Sequence, residues 1–295
     1  MSHQGTYRHL DVSKLAPLAI VLLLIGKPMA AGNEGNFTYL ALGDSVAFGL
    51  NPTLLTTQPP PTPSEFTGYP EVLANFEHLL QSKKEVNAAC PGETSTSFMT
   101  AGAPDYGCNS AGPQGQPPFK TWIGLHTNYP GMTQLDFAVS ELSSNKHINL
   151  VTLGIGSNDF FLLVGACASD PDPQGCVNTR MPGLLQTFTQ NLTHILTAIR
   201  SDAHYNGTII LVGYYSPSLQ LIPVALALNS VMLAVGPQFQ THYADGLTAF
   251  QLAALPYGGD VCKAGLLVRL DPTTCDIHPS PKGRDILAAT VLVAQ

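Results

Sequence analysis

Acyl transfer needs a hydroxyl, a base to take its proton, and donors for the charge that builds on the carbonyl oxygen. The chain carries residues of each type at the ends of apolar runs. Gly43-Asp44-Ser45 closes the run from Phe37 to Leu42, Pro91-Gly92-Glu93 follows Glu85 to Ala89, and Gly156-Ser157-Asn158-Asp159 follows Ile148 to Ile155. Near the C-terminal end, Asp276-Ile277-His278-Pro279 sets a histidine beside a carboxylate. Ser45 is the candidate nucleophile and His278 its base. The backbone N–H groups of Ser45 and Gly92 and the side-chain amide of Asn158 are the candidate oxyanion donors, Gly92 because it has no side chain to block a close approach. Asp276 is a candidate for fixing the imidazole tautomer and stabilising its cation, a task that a backbone carbonyl could share. This chemistry requires no metal and no cofactor. Asp44 and Asp159 are expected to hold their loops by accepting backbone N–H bonds.

Such residues meet only if a scaffold brings the run ends together. Phe37–Leu42, Glu85–Ala89, Ile148–Ile155 and Thr208–Tyr215 read as strands, the last an almost unbroken apolar core of the kind found in sheets buried on both faces. Helical patterns lie between and after them, at Pro70–Leu80, Thr133–Leu142, Met181–Arg200 and Lys282–Leu292. Strands alternating with helices imply an α/β fold whose mostly parallel sheet has helices on both faces. Ligands of such sheets gather outside the carboxyl ends of the strands. Asn51–Pro63, with five prolines, is an inserted loop, and Ala101–Pro118 is a second irregular segment.

Only 11% of the 295 residues are Asp, Glu, Lys or Arg, and the formal net charge is -7. Without a run of Lys or Arg, that balance disfavours nucleic acid and anionic bilayers as partners. Residues 1–31 have the layout of a signal peptide: Arg8 and Lys14, an apolar stretch from Leu15 to Ile25, then Ala30 and Ala31, with an uncleaved anchor as the alternative. Residues 32–295 then form one domain. No later stretch is expected to span a membrane; the nearest, Leu219–Val235, is interrupted by Pro223, Asn229 and Ser230. Six cysteines in a chain with an export signal imply disulfides, and their close couples favour Cys90–Cys108, Cys167–Cys176 and Cys262–Cys275 over a zinc site. Asn36, Asn191 and Asn206 each head an Asn-X-Thr triplet.

Gly43-Asp44-Ser45-Val46-Ala47-Phe48-Gly49 resembles the first block of the SGNH, or GDSL, hydrolases. Asn87-Ala88-Ala89-Cys90-Pro91-Gly92-Glu93-Thr94 resembles their second block, Gly156-Ser157-Asn158-Asp159 their third and Asp276-Ile277-His278-Pro279 their last. The blocks occur in family order. The second block, Gly213-Tyr214-Tyr215-Ser216-Pro217 and the cysteine couples are similar to the secreted bacterial lipase and esterase branch. The resemblance places the family's serine on Ser45, glycine on Gly92, asparagine on Asn158 and histidine on His278. It implies a three-layer α/β/α sandwich with a flavodoxin-like five-stranded sheet and no large cap, and an extracellular monomer that cleaves carboxylic esters of small molecules or lipids. In one respect the chain departs: the family's aspartate stands three residues before the histidine, where this chain has Cys275. Carbohydrate O-deacetylase and phospholipase are alternatives on the same fold, and a non-catalytic binding module is one of another class. Phe48, Leu50, Phe98, Phe160, Phe161 and Leu162 serve either acyl chains or the core.

Overall fold

The computed structural model describes residues 38–77, 85–113 and 115–295. The expected signal segment, Asn36, Phe37 and the last residues of the helix expected at Pro70–Leu80 lie outside them. β1 (Thr38–Gly43) is wholly buried, because its Tyr-Leu-Ala-Leu core is covered on both faces. It pairs in parallel with β2 (Glu85–Asn87) through Tyr39 opposite Glu85, and with β3 (Ile148–Gly154) through Leu40 opposite Val151. β4 (Thr208–Val212) joins β3, and β5 (His242–Ala244) closes the edge. The order β2-β1-β3-β4-β5, all parallel, is the flavodoxin-like sheet that was expected. β5 escaped the sequence reading because His-Tyr-Ala is three residues long with no apolar run around it. A second sheet, also unforeseen, is the antiparallel pair β6 (Leu267–Arg269) and β7 (Cys275–Pro279). It carries the Asp276-Ile277-His278 segment on a strand.

The helices, in chain order, are the single turn α1 (Ser45–Phe48), α2 (Tyr69–Phe76), the short α3 (Phe119–Trp122), α4 (Gln134–Ser144), α5 (Ser157–Cys167), α6 (Pro173–Thr197), α7 (Ile222–Val235), α8 (Gly246–Ala254) and α9 (Pro281–Ala294). α4 opens with a capping box, Thr133 and Asp136 satisfying each other's end of the helix. Two helices correct the reading from sequence. α6 begins at Pro173 and runs through Pro182, where a start near Met181 was expected; Asp172 caps it through the Gly175 N–H and the Cys167–Cys176 disulfide anchors its first turn. The run from Leu219 to Phe239 is a continuous 21-residue helical stretch of mean hydropathy 1.9, long and apolar enough by length and composition to cross a membrane. Pro223 starts α7 without breaking it, and Asn229 is buried with both amide atoms bonded to the backbone of Tyr214. In this fold Ala225, Leu228, Val231, Met232 and Val235 are buried against the domain.

Each cysteine couple forms a disulfide, Cys90–Cys108, Cys167–Cys176 and Cys262–Cys275. The Pro-rich insertion settles into two 3-10 turns, Pro52–Thr56 and Pro63–Glu65. Asn191 is buried, its amide donating to Ser95 Oγ and Thr96 Oγ1, so its triplet is part of the packing and not an accessible glycosylation acceptor.

Candidate active site

The nucleophile candidate is placed by a tight turn at the end of β1. Gly43 has φ +140, and a Cβ there would meet the Gly154 carbonyl oxygen at 2.3 Å, so only glycine lets β1 and β3 end side by side. The Gln134 side chain brackets the same residue, accepting from its N–H at 2.6 Å and donating to its carbonyl at 3.0 Å. Asp44 then caps α1 by accepting the Val46 N–H, which puts Ser45 at the first helical position. Asp44 is completely buried, and its other oxygen accepts the hydroxyls of Ser157 at 2.8 Å and Tyr214 at 2.6 Å. Burial pushes its pKa up, and these donors together with the nearby His278 offset only part of the rise.

Opposite it, β7 presents the base candidate. His278 Nε2 lies 2.9 Å from Ser45 Oγ, and His278 Nδ1 is hydrogen-bonded to Asp276 Oδ1. The same oxygen accepts the His278 backbone N–H at 2.9 Å. The two-residue gap that departs from the family pattern works because the segment is extended: residues i and i+2 of a strand share a face. Cys275, at the position of the family's aspartate, is instead consumed in the disulfide to Cys262. Burial alone would raise the Asp276 pKa, but the bonds from the His278 ring and backbone hold it below the usual carboxylate value.

Gly92 and Asn158 face the same cleft as Ser45 and His278. Gly92 has φ +87, and a Cβ would meet the Tyr106 backbone at 2.6 Å. Asn158 sits buried in the first turn of α5 and donates one amide hydrogen to the Glu93 carbonyl at 2.9 Å, which fixes the direction of the other. Asp159 was expected in a loop, yet Ser157, Asn158 and Asp159 form the first turn of α5, a helix not expected from the sequence. Asp159 crosses to the second block, where it accepts the backbone N–H and hydroxyl of Ser95; burial pushes it up to about 6. Glu93 is enclosed by Ser97, Gln134 and Asn109, and burial pushes its pKa up to about 7. It also lies beside Cys90 and Cys108, yet those sulfurs are bonded to each other and cannot act as thiolate ligands.

The cleft has a volume of about 330 Å³. Leu55 enters it from the insertion and Leu50 from just before it, Phe160 and Phe161 from α5, Trp122 from α3, and Leu221, Val224 and Leu228 from the α7 region. Phe48 and Phe98 belong to the core. Among the described residues, no Asp, Glu, Lys or Arg lines the cleft. Its chemistry is therefore a largely apolar wall with the Ser45 hydroxyl, the His278 imidazole and a few N–H donors at the base, the other lining serine, Ser157, being bonded to Asp44. Gln134, Ser157 and Tyr214 hold the nucleophile turn; the sequence gives Gln134 no signal and shows Ser157 and Tyr214 only as members of motifs, without this role. Their bonds span 91, 113 and 170 residues respectively, and no local pattern announces them.

The family model of the GDSL-like lipases and acylhydrolases matches residues 41–286, a span that contains every residue of this constellation. The chain belongs to the GDSL-like lipase/acylhydrolase family, and it is a hydrolase. Among solved structures, the GDSL-like chain is similar to a candidate GDSL-like lipase from Parabacteroides merdae ATCC 43184, with TM-score 0.51 and 14% identity over 87% of this chain and 96% of that one. It is also similar to phospholipase A1 from Streptomyces albidoflavus NA297 (TM-score 0.49, 18% identity, 86% and 97% covered). A third similar structure is an acetyl xylan esterase from Geobacillus stearothermophilus (TM-score 0.46, 15% identity, 86% and 91% covered). At such identities the likeness concerns the fold of the GDSL-like chain. No curated protein matches it in sequence.

Proposed function

We propose that this hydrolase is an exported, monomeric carboxylic ester hydrolase that acts through a Ser45 acyl-enzyme on esters with an apolar acyl group. The observation that carries the proposal is the 2.9 Å contact of Ser45 Oγ with His278 Nε2, with Asp276 on the other ring nitrogen. His278 takes the Ser45 proton as Oγ attacks the ester carbonyl. The N–H groups of Ser45 and Gly92 and the Asn158 amide receive the oxyanion, and Asp276 stays ionised beside the imidazolium. The intermediate collapses as His278 gives its proton to the departing alcohol. Water, deprotonated by His278, then attacks the acyl-enzyme and releases the acid. The apolar cleft supports an acyl chain and, among the described residues, offers no lysine or arginine for the phosphate of a phospholipid. Export draws on the signal layout of residues 1–31 and on the three disulfides.

The test is hydrolysis of p-nitrophenyl esters from acetyl to palmitoyl by the mature chain beside Ser45→Ala. Activity confined to the unsubstituted protein and extending beyond acetyl supports the proposal. Equal activity in Ser45→Ala refutes it, and no ester hydrolysis by folded protein would favour the binding module. Carbohydrate O-deacetylation is the second reading, because Trp122 and Tyr106 stand in the cleft wall as aromatic surfaces. Exclusive activity on acetylated sugars would select it.

A further inference from the structure

The Ser–His contact joins two separate sheets, since Ser45 follows β1 of the parallel sheet while His278 lies on β7 of the antiparallel pair. Two consecutive residues just past β4 reach both sides. The Tyr214 hydroxyl donates to Asp44, the cap of the Ser45 turn, at 2.6 Å, and the Tyr215 hydroxyl donates at 2.5 Å to the carbonyl of Ile277, between Asp276 and His278. Both tyrosines are buried, so neither hydroxyl is easily replaced by water. Their backbone is in turn fixed. Asn229, a polar residue inside the apolar α7, accepts the Tyr214 N–H at 2.8 Å and donates to the Tyr214 carbonyl at 2.9 Å. The Tyr215 ring stacks on Phe250 of α8 with centroids 4.2 Å apart.

We propose that Tyr214 and Tyr215 are positioning residues that set the distance and angle between Ser45 and His278, with Asn229 as their anchor. The inference rests on the Ser–His reading given above. Each tyrosine acts through another residue, Tyr214 through Asp44 and Tyr215 through the Ile277 carbonyl. Losing one hydroxyl frees one side of the contact, and a misplacement on the order of 1 Å costs about a hundredfold in rate.

The experiment compares Tyr214→Phe, Tyr215→Phe and the double variant with the unsubstituted chain. Tyr215→Phe keeps the ring that stacks on Phe250, so the fold is retained. Two rates are read: kcat and KM on p-nitrophenyl butyrate, and phosphorylation of Ser45 by diethyl p-nitrophenyl phosphate, which needs the Ser–His contact but no acyl site. Each single variant is expected to lose about tenfold to a hundredfold in kcat and in phosphorylation rate, with KM within about twofold. The double variant should lose less than the product of the two, because both act on one distance. Wild-type rates in both single variants overturn the proposal, even if their melting temperatures fall. Multiplied losses in the double variant overturn the shared clamp. An unsubstituted protein that neither hydrolyses the ester nor labels at Ser45 overturns the hydrolase mechanism itself, and the clamp with it.

Discussion

Asp276→Asn is the perturbation that decides whether a carboxylate or only the strand backbone orients His278. In the structure one oxygen, Asp276 Oδ1, accepts both the ring Nδ1–H and the backbone N–H of His278. An asparagine can keep the backbone bond with its carbonyl oxygen, but its NH₂ group then offers the ring a donor. The ring answers by carrying its proton on Nε2, the atom that must accept from Ser45. In buried serine-protease sites this change costs about 10⁴ in kcat. Here the Asp276 side chain is 23% exposed, so water competes for the ring and part of the cost is relieved. The expected loss is about 10² to 10³ in kcat, or roughly 3 to 4 kcal/mol, with KM little changed. The assay is steady-state hydrolysis of p-nitrophenyl butyrate between pH 5 and 9. A kcat within threefold of wild type would refute the reasoning and return the task to a backbone carbonyl.

Asn158→Ala removes a candidate oxyanion donor while Ser45 and His278 stay in place, and kcat should fall by about 10² to 10³; undiminished turnover would remove Asn158 from the mechanism. Glu93 holds its proton more tightly folded than unfolded, so its stabilising contribution is full below about pH 4.5 and is lost as pH rises through about 7. The loss amounts to about 3 kcal/mol. Glu93→Gln should therefore raise the melting temperature at pH 8 more than at pH 5, and an unchanged pH slope in calorimetry would show that Glu93 does not titrate in this range. Val224→Trp adds bulk to the cleft wall and should shift the chain-length profile toward acetyl and butyryl esters; a profile identical to wild type would place the acyl chain elsewhere.

Much of the fold was legible because the buried strands are near-continuous apolar runs that end abruptly in glycine or polar residues. Thr38–Gly43 and Ile148–Gly154 are of this kind, and so is the ordered set of blocks around Ser45, Gly92, Asn158 and His278. His242–Ala244 was not legible, since three residues at a sheet edge need little apolar surface. The β6–β7 hairpin was missed for a related reason: β6 is only three residues long, and β7, tied through Cys275 to Cys262, is only partly buried. That omission left the partner of His278 undecided, because Asp276 is well placed only once the segment is known to be extended. A helix start at Met181 was expected, while the real start at Pro173 is fixed by the Asp172 cap and a disulfide. The residues that steady the site, Gln134, Ser157, Tyr214 and Tyr215, could not be singled out, since each acts on a segment far away in the chain.

The absence of Asp, Glu, Lys and Arg from the described cleft wall bears on how a turnover ends in the proposed ester hydrolysis. Hydrolysis of a neutral ester yields an acid that ionises at neutral pH, so an uncharged reactant becomes an anion inside an apolar enclosure. No lysine or arginine among the described lining residues retains it, and the chain's net charge of -7 repels it. Desolvation of the carboxylate then favours departure. Free fatty acid should accordingly be a weak inhibitor, and the site a poor catalyst of the reverse condensation, because the anion that would have to re-enter is the species it holds least well.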